Sequence, residues 1–349
     1  MPNNNLIETM DQAGHTLQKS NVRNVIFVHG TFVGDDPLGI NWLFDEENVP
    51  SWITTQFRKY TKETVDTVFK DLGNFTNRYV DIFSREINTS IETKKSIECF
   101  NYLWDGQNNH IGRLEAIPDL VQKIADSKGN RTLLIGHSHA GQLFALITLF
   151  LEQKEKGDVL FEGLEEIISD EKRLNLFRNN LNKIREIDLD IVTLGAPVRY
   201  PWGRYEKYQL LNIVNHRSDV YIDGVLYTRD GDYVQHWGIE GTDIKSAKKY
   251  PNLLPKLDKV LDTGSLDKNS LHSIRSEHKR RVHKDSGKGN IGINVFIDYE
   301  DEGKRILPIP LTPWVINKPN FIESGLGHGA YTLEANILRN TKLILENLY

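Results

Sequence analysis

The sequence predicts an α/β fold: a mostly parallel sheet covered by helices on both faces, with an inserted excursion before the final helix. Three observations point there. Short apolar runs rich in β-branched residues, such as "NVIFVHG" and "RTLLIG", end at glycine and read as buried strands. They alternate with longer segments whose apolar residues recur at helical spacing, which argues for parallel strands joined by helical crossovers. The stretch 241–290 breaks that alternation and is rich in Lys, Arg, Ser, Asp and Gly.

In chain order, residues 1–23 are polar and read as a leader, followed by one domain over 24–349 with an insertion at about 241–311. The first strand is 24–30, and a helical segment is expected around 51–71. "SIECFNYLW" (96–104) is the next strand. "IGRLEAIPDLVQKIADS" (111–127) carries Leu114, Ile117, Val121 and Ile124 at helical spacing. Its interior proline places the helix start near Pro118. "RTLLIG" (131–136) then leads into the apolar helix 139–153, and a charged helical connection occupies 154–187. Strands recur at 188–197 and 209–216. "GINVFIDYEDEGKRILPIPL" (292–311) reads as a hairpin turning at "DEGK", and "YTLEANILRNTKLILENL" as a closing helix.

Composition bounds the classes. Hydrophobic residues are 39% and charged residues 26% of 349, a globular balance. A formal net charge of -5 gives no global attraction to nucleic acid or anionic membrane. Cys99 is the only cysteine, so an internal disulfide and a cysteine-rich zinc site are excluded. The amino-terminal residues lack a signal-peptide pattern, and no window reaches the roughly 18 apolar residues of a membrane span. A soluble cytoplasmic protein is the expectation, with secretion by a signal-independent route left open.

The chemistry concentrates in "RTLLIGHSHAGQ". A serine hydroxyl attacks only when a base removes its proton and the resulting oxyanion is stabilised. A tight strand-to-helix turn exposes such a serine, and it needs small residues on either side where the two backbones pass closely. Gly136 stands two before Ser138, with Ala140 two after and Gly141 next. The backbone N–H of His139, at the helix start, is one expected oxyanion donor. In "VIFVHGTF", Gly30 would let the chain turn so that the N–H of Thr31 is the other. Among eleven histidines, His328 in the glycine-rich "ESGLGHGAYT" is the expected base. His137 and His139 adjoin the serine on too tight a turn to serve it and would shape the pocket, while His29 would support the oxyanion loop. The carboxylate that orients the base is expected at Asp219, with Asp223 and Asp232 as alternatives.

Taken together, "VHGTF", "GHSHAG", "TLGAP", "NHRSD" and "GHGAY" resemble the α/β-hydrolase superfamily, and most of all its lipase and esterase branch. The resemblance covers roughly residues 22–220 and 320–349; Ala140 and the long excursion depart from it. It implies an α/β-hydrolase fold and a serine hydrolase that cleaves carboxylic esters through an acyl-serine. Ser138, Asp219 and His328 would be catalytic, with Thr31 and His139 forming the oxyanion hole. His29, Phe32, Trp42 and His137 would line the substrate pocket. Neither metal nor organic cofactor is implied. Thioester or amide cleavage, acyl transfer, or a catalytically idle interaction module are the alternatives.

Phe32, Leu38, Ile40, Trp42, Leu43 and Phe44 would suit a lipid or other hydrophobic acyl ester, or else pack on the core. The basic stretch 272–290 reads first as a solvated loop; contact with a phospholipid headgroup or another anion is the alternative. It has no interleaved aromatic residues, so no nucleic-acid partner is expected. "GHSHAG" lacks the Lys-Ser/Thr pair of a phosphate-binding loop. A metal site at "HSH" would need further ligands that the sequence does not place.

Overall fold

The apolar runs assemble into one six-stranded sheet whose neighbouring strands are all parallel. The computed structural model describes residues 9–30, 74–216, 220–222, 225–227, 231–232, 235, 250–261, 282–287, 289–299 and 327–349. The strands are β1 (Asn24–Val28), β2 (Glu98–Tyr102), β3 (Arg131–His137), β4 (Asp188–Leu194), β5 (Tyr208–Asn215), β6 (Val220–Ile222), β7 (Val225–Tyr227) and β8 (Ile293–Ile297). The sheet order is β2-β1-β3-β4-β5-β8, and β6 and β7 form a separate antiparallel pair.

Burial on both faces explains why the central strands read as nearly unbroken apolar runs. Alternate residues feed two cores. Val25, Phe27, Leu133, Ile135, Val192 and Leu194 face α1 (Met10–Lys19), α2 (Asn77–Ile87) and α8 (Ile337–Leu348). Ile26, Val28, Leu134 and Ile191 face the opposite layer. That layer comprises α3 (His110–Ala125), α4 (Ala140–Glu152), α5 (Glu155–Ile167), α6 (Glu171–Ile184) and α7 (Leu253–Leu261).

Several expectations change. Residues 10–19 are not a loose leader but α1, started by a capping box between Thr9 and Gln12 and seated through Met10, Ala13, Gly14 and Leu17. Helix α3 begins at His110 rather than near Pro118, because the Asn109 side chain accepts the Gly112 N–H and caps it there; Pro118 lies inside the helix. Part of the excursion belongs to the core, since α7 buries Leu253, Leu257 and Leu261. The basic stretch is not simply solvated either: His283 is fully buried. Strand β8 joins the main sheet beside β5, whereas "DEGK" lies outside the described residues, as does the helix expected at 51–71. The closing helix starts later, at Ile337, after two short 3-10 turns.

The strand order fixes where a site can form. From β1 the chain moves outward to β2, then crosses back to β3 and continues through β4 and β5. Because β1 is followed by its neighbour on one side and β3 by its neighbour on the other, the topological switch point of the sheet lies between β1 and β3, the usual ligand position in open α/β sheets. Among the described residues no helix is long and apolar enough to cross a membrane.

Candidate active site

Ser138 follows β3 directly and has φ +53, a left-handed conformation that L-residues with a Cβ adopt at a cost. Its N–H donates to the Leu194 carbonyl at 3.0 Å and its carbonyl accepts from the Gly141 N–H at 3.0 Å, so the turn is held on both sides. The small residues around it each have a steric reason. A Cβ on Gly136 would lie 2.5 Å from the Phe144 ring and 2.9 Å from Ala140 Cβ, and one on Gly141 would lie 2.4 Å from Ala196 Cβ. Ala140 is tolerated because its methyl faces Gly136; the position that must lack a side chain is Gly141, which passes against β4's exit.

The chain leaving β1 comes to the same turn. A Cβ on Gly30 would lie 2.6 Å from Ser138 Cβ and 3.3 Å from Ser138 Oγ, so the backbone itself touches the serine. His29 is buried behind it. Its Nε2 accepts the Trp104 N–H at 3.1 Å, which leaves the proton on Nδ1 for the Gly30 carbonyl at 2.7 Å. Trp104 stacks on the imidazole and donates its indole N–H to the His29 carbonyl at 2.8 Å. His29 thus buttresses this loop. His139 caps α4, where the first backbone N–H groups of a helix lack partners one turn back.

His328 is held from two directions. His137 Nε2 donates to its carbonyl at 2.8 Å, and the two rings lie 4.5 Å apart. Its own Nδ1 donates to Asp232 Oδ2 at 2.9 Å. Asp232 is fully buried and also accepts the Tyr331 hydroxyl on Oδ2 at 2.8 Å and the Gln235 N–H on Oδ1 at 2.9 Å. Both carboxylate oxygens thus accept hydrogen bonds. Burial, then the Asp232 charge, pushes the Tyr331 hydroxyl well above the ordinary phenol range, so it stays a donor.

Of the residues singled out in the sequence, the structure sets His137, Ser138 and His139 at the end of β3, brings the loop of His29 and Gly30 against Ser138, and packs His328 on His137. It does not join Ser138 to His328 by a hydrogen bond: among the described residues the serine hydroxyl has no such partner. The carboxylate on His328 is Asp232, one of the two alternatives to Asp219. Asp219, Asp223, Thr31, Phe32 and Trp42 lie outside the described residues. Sequence reasoning missed Trp104, Gln235 and Tyr331. The signal for Tyr331 was present, since a tyrosine in an otherwise small-residue loop buries its ring only with a partner for its hydroxyl. No three His, Cys, Asp or Glu side chains converge as metal ligands among the described residues. Comparisons with protein-family models, curated proteins and solved structures find no match to this chain.

Proposed function

We propose that the chain is a serine hydrolase of the α/β-hydrolase type that cleaves carboxylic esters, with Ser138 as nucleophile, His328 as base and Asp232 as its orienting acid. The observation that carries this reading is the left-handed Ser138 at the β3–α4 turn, next in the chain to His137, whose ring lies 4.5 Å from that of His328, a histidine hydrogen-bonded to the buried carboxylate of Asp232. The chain order Ser138, Asp232, His328 agrees with that superfamily's order. The switch point of the strand order between β1 and β3 and the close approach of Gly30 to Ser138 support it further.

In this mechanism Ser138 Oγ bonds to the ester carbonyl carbon as its proton passes to His328 Nε2. The carbonyl electron pair moves onto oxygen, which the His139 N–H and the N–H of Thr31 would stabilise. Collapse breaks the bond to the alcohol oxygen, and the imidazolium supplies the proton that releases the alcohol. Water then attacks the acyl-serine by the same route, freeing the acid and restoring the serine. Asp232 keeps the His328 proton on Nδ1, so Nε2 has the lone pair that attack requires.

Intact-mass analysis after incubation with a fluorophosphonate tests the assignment. Wild type should gain one adduct and Ser138→Ala none; no adduct on folded wild type would sink the reading and favour an interaction module. On a labelled enzyme, a panel of ester, thioester and amide substrates of graded acyl length decides the substrate class. A preference for long acyl esters would support lipid substrates, and preference for thioesters or amides would overturn the ester assignment.

A further inference from the structure

We infer that Tyr331 is a positioning residue for this proposed reaction, fixing Asp232 and through it the imidazole of His328. The inference rests on the serine-hydrolase reading and deepens it. The tyrosine is fully buried, and its hydroxyl has one orientation. The Asn215 N–H, which can only donate, reaches the phenol oxygen at 2.7 Å. The phenol's own proton is thereby left for Asp232 Oδ2 at 2.8 Å, the same oxygen that accepts His328 Nδ1–H.

The surrounding backbone is cut to fit this arrangement. Gly195, where the chain leaves β4, has φ +59, and a Cβ there would lie 2.6 Å from the Tyr331 ring and 2.7 Å from Asp232 Oδ2. Asn215, at the end of β5, also donates its side-chain amide to the Gly327 carbonyl at 3.0 Å, tethering the residue before His328. One asparagine thus holds the hydroxyl through its backbone and the histidine loop through its side chain.

The chemical consequence concerns basicity as well as geometry. A donor on Oδ2 draws charge from the carboxylate and so limits how strongly Asp232 stabilises the protonated imidazole. Removing that donor leaves more charge facing His328 and strengthens its hold on a proton. Among the described residues, the other titratable groups facing the pair are His137 of β3, whose ring lies 4.5 Å from His328 and 5.7 Å from Tyr331, and Tyr299, whose ring lies 5.2 Å from Tyr331. Neither touches the Asp232 carboxylate in a described contact.

The test compares wild type, Tyr331→Phe and a chain carrying 3,5-difluorotyrosine at position 331. Readouts are the pH dependence of fluorophosphonate labelling, kcat and KM for an ester, and the low-field proton NMR signal of His328 Nδ1–H. Tyr331→Phe should lower kcat roughly tenfold to a hundredfold with KM little changed, and should move the acidic limb to higher pH. The fluorinated phenol, a stronger donor, should move that limb to lower pH with the ring and hydroxyl retained, which keeps the test open if the Phe variant fails to fold. Limbs and rates identical across folded proteins would overturn the inference. If wild type neither labels nor hydrolyses, the hydrolase reading fails instead. The NMR signal still decides the structural link, because it must move between variants if Tyr331 acts through Asp232 and stay fixed if it does not.

Discussion

Among the described residues three non-glycine positions have a left-handed φ: Asn21, Ser138 and Gln153. Gln153 caps the end of α4 and Asn21 follows the end of α1, a common use of that conformation at helix ends. Ser138 precedes its helix, so termination does not explain it, and the strain belongs with a functional role. Ser138→Gly should relieve it. We expect that variant to be more stable than Ser138→Ala by about 1 kcal/mol, read from urea midpoints, with neither forming an adduct. Equal stability would mean that the turn stores no strain. This turn was legible because its signals are local: a strand, small residues and a serine within ten positions. The acid was not legible in the same way. Choosing between Asp219 and Asp232 depends on how the chain returns after β5, and the pertinent clue is Gly231. Its φ is +77, and a Cβ there would lie 2.7 Å from the Asn215 carbonyl oxygen. Only a glycine can pack so closely in that conformation, and the turn it makes carries the next residue inward.

At the scale of elements, α1 shows how a real helix hides in a polar sequence. Met10, Ala13, Gly14 and Leu17 follow the i, i+3, i+4, i+7 spacing, yet two of the four are too small to register as an apolar stripe. The small size is the point of contact. A Cβ on Gly14 would fall 1.7 Å from the Ile87 carbonyl oxygen, so α1 crosses the end of α2 backbone against backbone. Gly14→Ala should therefore destabilise the protein, although alanine raises helix propensity by about 1 kcal/mol. Chemical denaturation giving a more stable variant would refute the close crossing. The misplaced start of α3 has a different origin. Pro118 suggested a helix start, but the Asn109 cap and the buried Ile111, Leu114 and Ile117 outweigh the cost of an interior proline, its lost hydrogen bond and ring clash together about 3 kcal/mol.

For the whole molecule, the alternating pattern made the parallel sheet legible, while the excursion's anchoring was hidden by its charge. His283, within the basic stretch, packs edge-on against Trp202 with ring centroids 5.2 Å apart. Its Nε2 approaches Thr193 Oγ1 at 3.4 Å, and that hydroxyl donates to Asn212 Oδ1 at 2.8 Å. Asn212 in turn donates to Asn294 Oδ1 at 3.0 Å, so a row of polar groups in register links β4, β5 and β8 to the excursion. Burial lowers the His283 pKa from 6.5 to about 3, so the folded protein holds this imidazole neutral. Above pH 6.5 neither folded nor unfolded chain protonates it, and its neutral packing contributes in full. As pH falls from 6.5 toward 3, the unfolded chain takes up a proton that the folded chain refuses, and stability is lost at up to about 1.4 kcal/mol per pH unit. His283→Gln retains a donor toward Thr193 and cannot titrate. Urea unfolding across pH 4 to 9 should show a constant difference between wild type and variant above pH 7, then a steady shift in the variant's favour below 6.5. A difference that stays flat through the acid range would mean that His283 takes its proton without leaving the fold, and the polar row would then be an accessible path rather than a buried anchor.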